Sequence, residues 1–353
     1  MNVSDFDFDL PASLIAQEPR PRGASRLLVV DRASASWTEG TVADLPAHLE
    51  RGDLVVFNDT RVFPARLLGQ RVPSGGAVEC LLLERVDDTH WHALMHPGQK
   101  LKPGARVVFA DAARAPGIVL RGEVLERLYF GRRLVRFEVD GASSIEAGPD
   151  AAIDALGHVP LPPYIHRPDT EADRERYQTV YARVRGSVAA PTAGLHFDGR
   201  LLDALEARGV ERAMITHHVG YGTFKPVRAE RVEDHHVDAE AFDIAADAAA
   251  AIDAARQRAG RVVAVGTTTT RALEASADGR TVRAGAGTTG LFIHPGHQFR
   301  VVDAMLTNFH LPRSSLLMLV AAFAGRELVL DAYRHAVDRG FHFYSYGDAM
   351  LIL

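Results

Sequence analysis

Hydroxyl, imidazole and guanidinium side chains crowd into six short segments of this 353-residue chain, each punctuated by Gly or Pro. They are FNDTRVFPARL (57–67), GSVAAPTAGLHF (186–197), ITHHVGYGTFKPV (215–227), VGTTTTRALE (265–274), TNFHLPRSSLLMLV (307–320) and SYGDAMLI (345–352). Glycines let backbone approach a ligand closely, and hydroxyls and Arg then supply hydrogen-bond donors. Each segment alone has a plainer reading: Asp59-Thr60 as a turn cap, Thr267 to Thr270 as a helix cap, His196 as a satisfied core histidine. Their joint occurrence favours one composite pocket. Several follow an expected strand and precede a helix or turn, which in α/β folds gathers ligand groups at the C-terminal strand edge.

Other patterns fail on inspection. Gly285-Ala-Gly287-Thr-Thr-Gly290 fits G-x-G-x-x-G, but the motif needs a helix after it, and LFIHPG reads as a strand leading to a turn. No Walker A loop, G-x-S-x-G elbow or H-E-x-x-H occurs. With Trp91 and Leu94 taken as core-facing, His90, His92 and His96 share the other face of a strand. No acidic or cysteine ligand stands beside them, so a solvated strand face is expected rather than a metal site.

The elements that must position these segments change character twice along the chain. Over the first ~65 residues, strands are expected at 26–31 and 53–58 with a short helix at 44–50. Runs such as VECLLLE, HWHALM, ARVVFA, GIVLRGEVLE and RRLVRFEVD then follow between Gly, Pro and Asp turns, without a helical period. After residue 150, helices are expected at 171–183, 199–208, 246–259, 270–276, 314–323 and 327–339. Strands at 213–216, 261–265, 290–294 and 341–346 alternate with them. The economical architecture is α/β: a discontinuous mixed domain (1–66 and 151–353, the second part carrying most motifs) interrupted by an all-β, small antiparallel barrel-like insertion (67–150).

Composition sets the outer bounds. The chain is 47% hydrophobic and 24% charged, ordinary values for a soluble globular protein. Its net charge of −5 argues against a general polyanion binder, although local cationic surface also decides nucleic-acid affinity. Cys80 is the only cysteine, which rules out an internal disulfide or a multi-Cys zinc site and fits a reducing cytoplasm. The acidic start (Asp5, Asp7, Asp9) lacks a signal pattern, and the longest apolar stretch, 316–324, is too short for a membrane span.

In order and along nearly the whole chain, the six segments resemble the signature stretches of the S-adenosylmethionine:tRNA ribosyltransferase-isomerase family. GHVPLPPYI (157–165), YQTVYA (177–182) and DFDFDLPASLIAQEP (5–19) match too, and the barrel-like insertion is the least similar region. The chain departs from the family pattern at four places. His217 replaces a Leu, so His218 takes the motif histidine's position; Asp238-Ala239 replaces His-Ser before Glu240; Gly290 replaces an Asp; His294 replaces a Tyr.

The resemblance implies transfer of the ribosyl part of S-adenosylmethionine onto 7-aminomethyl-7-deazaguanine in a tRNA anticodon. Rearrangement gives epoxyqueuosine, with release of adenine and methionine. S-Adenosylmethionine is consumed as a substrate, no metal or redox cofactor is implied, and the expected protein is a cytoplasmic monomer away from membranes. The sulfonium acidifies the ribose 5′ carbon, so the chemistry needs acid–base groups of near-neutral pKa, which histidine supplies. The candidates are His196, His218 and His310: His218 is the favoured base, His310 a second candidate on the adenine side, and His196 is also counted as substrate-binding. Asp59 is assigned to the sulfonium and Arg271 to the methionine carboxylate through a charge-assisted fork. Thr192, Thr267 and Thr268 are assigned to ribose or adenine, and Thr307 and Asn308 to substrate binding. Tyr221, Phe224 and Lys225, with Arg61 and Arg66, are expected to hold a splayed-out loop base. Two rival classes stay open: a noncatalytic tRNA-binding module, and a small-molecule hydrolase, for which Ser187 lacks an elbow motif.

Overall fold

The computed structural model describes residues 1–141, 148–224 and 226–353. Its frame is a nine-stranded mixed sheet. Four parallel strands lie side by side in the order Glu211–His217, Leu54–Asn58, Val262–Val265, Ala304–Asn308. Apart from Glu211–His217, whose N-terminal end is exposed, they are buried throughout, which is why they read as near-continuous apolar runs such as LVVF and VVAV. Ala349–Ile352 runs antiparallel to Ala304–Asn308 and parallel to Arg26–Asp31, and Ser36–Thr41 closes that edge. Glu240–Ile244 and Gly285–Thr289 extend the other edge in antiparallel fashion.

Helices cover both faces. Ala246–Gln257, Ser315–Ala324 and Arg326–Asp338 bury Ile252, Leu317, Val320, Val329 and Tyr333 on one face. Gly199–Ala207 buries Leu201, Leu202 and Leu205 on the other. Directionality does the functional work. The C-terminal ends of all four parallel strands, at His217, Asn58, Val265 and Asn308, fall on one rim, and Asn308 pairs with Ala349. The Ser345–Asp348 segment therefore enters the same rim from the opposite direction. Five of the six motif segments meet there by topology alone.

Six antiparallel strands, Arg66–Val72, Ala77–Arg85, His90–His96, Arg106–Ala110, Val119–Arg127 and Arg132–Val139, close a small barrel. Alternation places Cys80, Leu82, Trp91, Phe109, Val124 and Phe137 inside. Leu94, three positions from Trp91, shares the partly exposed face with His90, His92 and His96, a correction that period 2 itself requires. His90 pairs with Asp87 and His92 with Glu84, and among the described residues no group of acidic, His or Cys side chains forms a metal cluster. Among them, too, no helix is long and apolar enough to cross a membrane.

Three expected elements are corrected. The helix at 171–183 shrinks to Asp173–Arg176. Tyr177 is pulled fully inside, and Gln178 is tied by its side chain to both Val62 N and Val62 O. The strand at 290–294 stands instead at Gly285–Thr289, because the Thr289 hydroxyl captures the Leu291 N–H and Arg271 takes Leu291 O. The strand at 341–346 gives way to Ala349–Ile352. Buried Asp348 accepts the N–H of His342 and of Arg26, bending the preceding residues into a turn.

Candidate active site

One cleft crosses the rim. It is lined by Thr192, Thr267, Thr268, Thr307, Asn308 and His310 from the motif segments, with Tyr164, Tyr344, Ser345 and Leu316 closing it. Gly266, at φ +90°, turns the chain from the buried strand into the helix Thr267–Ala275. In the first helical turn, Thr269 and Thr270 donate back to Val265 O and Gly266 O. Thr267 and Thr268 are left facing the cleft. Asn308 organises the floor. Its Oδ1 accepts from Thr192 at 3.1 Å, and its Nδ2 donates to Tyr344 O and to His196 Nε2, both at 3.1 Å. His196 Nε2 therefore accepts, fixing the neutral tautomer with its proton on Nδ1. His310 Nε2 lies 2.9 Å from the Thr307 hydroxyl. Tyr164 OH meets Ser345 Oγ at 2.6 Å.

Burial decides the electrostatics. It lowers the His196 pKa to about 4, with the Arg22 charge adding to the effect, and lowers His310 to about 3. Both imidazoles are neutral at physiological pH. None of the described residues lining the cleft is Asp, Glu, Lys or Arg. The cleft is thus a neutral, hydroxyl-rich pocket suited to a polyol or a heterocycle.

A second cleft adjoins it across Leu316 and is lined by Glu240, Arg271, Asp238, Gly222, Phe292 and Leu319. Here the groups are ionised and mutually bound. Glu240 Oε2 accepts from Arg271 Nη1 at 2.6 Å and from His217 Nε2 at 3.0 Å, while Oε1 accepts the Gly220 N–H at 2.8 Å. Burial opposes ionisation of Glu240, but the His217 hydrogen bond and the Arg271 charge outweigh it and take the pKa down to about 2. Arg271 also donates to Leu291 O and Thr289 O. The expected fork from Arg271 to a carboxylate ligand is corrected: the guanidinium is already engaged.

His217 and His218 point opposite ways. His217 is fully buried between Thr268 O and Glu240. The His218 ring lies over Gly186, where an added Cβ would fall 2.6 Å from it. His218 Nδ1 meets the Thr60 hydroxyl at 2.8 Å. Burial lowers its pKa, with His217 adding to the effect, so it stands as a free base at neutral pH. Its Nε2 has no hydrogen-bond partner among the described residues. His218 does not line the neutral cleft; its neighbour Val219 does.

Asp59 is corrected from an open, sulfonium-facing group to a committed one. It is buried, accepts from Thr216 at 2.7 Å and from Arg183 at 2.8 Å, and so orders the loop holding Thr60. Arg66 sits on the barrel in a bidentate pair with Glu79, away from the cleft. Arg61 is exposed, and Tyr221 lines a groove on the barrel wall. Lys225 and the Phe224 side chain lie outside the described residues. Ser187 is a structural tie, donating to Ala189 O and accepting the Val219 N–H, which removes the hydrolase nucleophile. Sequence reasoning missed Tyr164, Tyr344 and Ser345 as cleft walls. The PPYI stretch and the SYGD motif were the available signals. A more spacious depression beside Arg51, Glu211 and Arg258 lies at the opposite, N-terminal strand ends, and of the motif segments only the apolar Phe57 is among its described lining residues.

An open parallel core with a hydroxyl-lined cleft outside its strand ends belongs to the ligand-binding α/β class. Comparison narrows this. The family model described as "Queuosine biosynthesis protein" matches residues 3–352, and the chain belongs to that family. Proteins named S-adenosylmethionine:tRNA ribosyltransferase-isomerase are similar to it over full length. The one from Symbiobacterium thermophilum is 52% identical, covering 100% of both chains. The one from Rhodospirillum rubrum is 51% identical, covering 100% of this chain and 98% of its own. Among solved structures, the crystal structure of S-adenosylmethionine tRNA ribosyltransferase from Thermotoga maritima has a TM-score of 0.55 and 36% identity, covering 99% of this chain and 100% of that one.

Proposed function

We propose that this protein is a cytoplasmic, monomeric S-adenosylmethionine:tRNA ribosyltransferase-isomerase. It moves the ribosyl group of S-adenosylmethionine onto 7-aminomethyl-7-deazaguanine in tRNA and releases adenine and methionine. The observation that carries the reading is the neutral cleft, in which Thr192, Thr267, Thr268, Thr307 and Asn308 converge on one rim. Hydroxyls and a carboxamide match the ribose hydroxyls and the adenine edge. The adjoining cleft, with Leu316, Leu319 and Phe292 on its wall, suits the thioether chain. His218 is the general base, because its lowered pKa keeps it unprotonated and its Nε2 is available. His310 stands on the adenine side. S-Adenosylmethionine enters as a substrate, and no metal or redox cofactor takes part.

The test is incubation of the full chain with labelled S-adenosylmethionine and either deazaguanine-bearing or unmodified tRNA, followed by nucleoside analysis. Adenine and methionine should appear only with the modified tRNA, in step with epoxyqueuosine. Equal release with both tRNAs would sink the reading. Elemental analysis should find no stoichiometric zinc or iron.

A further inference from the structure

Among the described residues, two aromatic rings are exposed over most of their surface, and they are neighbours: Tyr129 at 87% and Phe130 at 93%. They form the turn between the barrel strands Val119–Arg127 and Arg132–Val139. Phe130 has φ +56°, a left-handed conformation that is unfavourable for a bulky residue and easy for glycine. The turn is nonetheless built firmly. The Leu128 N–H donates to Arg132 O at 2.8 Å. Buried Arg133 donates to Leu101 O at 2.9 Å, to Gly98 O at 2.7 Å and to Gly131 O. Folding gains nothing from holding two apolar rings in water on a constrained turn, so an external partner is the physical reason to look for.

Location and charge say which partner. Arg132, two residues beyond Phe130, pairs at 3.0 Å with Asp238, which lines the ionised cleft. The tip therefore stands at the edge of the candidate active site. Below it a groove on the barrel wall carries His96, Gln99, Arg127 and Tyr221. Arg127, Lys100 and Lys102 have no carboxylate partner among the described residues. Glu79 is neutralised by Arg66 and Asp238 by Arg132, which leaves Glu126 as the nearby unpaired carboxylate. Lys100, Lys102 and Lys225 are the chain's lysines. Lys100 directly follows Gln99 of the groove's lining in the chain.

We propose that the Tyr129–Phe130 tip is a stacking platform for unpaired bases of the RNA substrate, with Arg127 and the Lys100–Lys102 turn on its phosphates. The inference rests on the tRNA reading above. Paired aromatic faces beside unneutralised cations are the chemistry that grips single-stranded nucleic acid without reading its sequence. An apolar protein partner would have to desolvate those cations.

The test uses the full chain with Tyr129→Ser and Phe130→Gly, separately and together. Binding is read by anisotropy of labelled substrate tRNA, stability by thermal melting, and chemistry by steady-state kinetics. Each substitution should weaken tRNA binding about tenfold and raise KM for tRNA to match. KM for S-adenosylmethionine should stay within twofold. Phe130→Gly should melt at the same temperature or higher, because glycine relieves the left-handed backbone, so weaker binding there cannot be blamed on unfolding. Arg127→Gln should lower the salt dependence of binding by about one phosphate contact. Unchanged tRNA affinity in the double variant overturns the proposal. So does a self-association, seen by sedimentation, that the double variant abolishes without affecting tRNA. A wild-type protein that binds tRNA through the tip but releases no adenine would defeat the proposed reaction and leave this inference standing.

Discussion

Two clefts share one sheet rim and the Leu316 wall, yet they manage burial in opposite ways. At the first, His310 on the wall and His196 behind Asn308 are enclosed without a carboxylate partner among the described residues, so desolvation wins and both are neutral. In the second, Glu240 is just as enclosed but holds Arg271, His217 and the Gly220 N–H, so its charge survives. The difference teaches what each region is for. Neutral groups with spare hydrogen-bonding capacity can accept a polar ligand at small cost. An ion cluster whose members already satisfy one another is a frame, because removing any member strands a buried charge.

The sharpest way to break the contrast is through His218, which belongs to neither set. His218→Ala should lower turnover about 10²–10⁴-fold with a normal melting temperature. Single-turnover assays at saturating S-adenosylmethionine measure this. Retention of more than about a tenth of the wild-type rate ends its role as base and moves the search to His310.

Glu240→Gln comes next. It leaves Arg271 and His217 without their anion and should cost about 3–5 kcal/mol in urea unfolding. A loss under about 1 kcal/mol would mean the cluster is not a frame.

Acid titration sharpens the comparison by separating the clefts. The folded pKa values of His196 and His310, about 4 and about 3, lie below the ordinary 6.5. Below pH 6.5 the unfolded chain therefore takes up protons that the folded chain refuses, and stability falls towards pH 3–4. Glu240 has a folded value of about 2 against 4.5. Its contribution is complete above pH 4.5 and lost as pH falls towards 2. Stability curves should show both windows; Glu240→Gln should shrink only the lower, to which Glu39 and Asp173 also contribute, and His310→Asn should flatten only the upper.

His217→Ala should then cost about 1–3 kcal/mol, the usual penalty for stranding buried hydrogen-bonding groups. It should destabilise more than His218→Ala, because His217 is fully buried and tied at both ring nitrogens. The smallest effect is expected on the barrel. Arg66→Ala breaks a half-exposed pair with Glu79 and should change stability by less than about 1 kcal/mol, with turnover intact. A large loss of turnover would return Arg66 to the list of substrate contacts.

Strand LVVFN, the barrel runs and the helices at Gly199–Ala207 and Ala246–Gln257 were legible because period and burial are written in consecutive residues. The six motif segments were also legible, since dense small, hydroxyl and His residues punctuated by Gly are rare in plain core. The three misread elements share one cause. Residues 171–183, 290–294 and 341–346 are fixed by distant side chains: Val62 and Gln178, Arg271 and Leu291, Asp348 and Arg26.

The sequence by itself determined that the chain is an α/β protein with a β-barrel insertion and that hydroxyl, imidazole and guanidinium side chains gather in those segments. Only the tertiary structure decided which side chains remain available to a ligand. Asp59, Arg271 and His217 have the residue types of a catalytic set, but their hydrogen-bonding capacity is taken up by Arg183, by Glu240 and by Thr268 O. Thr192, Thr268 and His310 share a cleft because four parallel strands end on one rim. The reason is physical: a side chain's chemistry is local, whereas these partners arrive from 31, 51 and 124 residues away, and a buried polar group is defined by the partners it has already found.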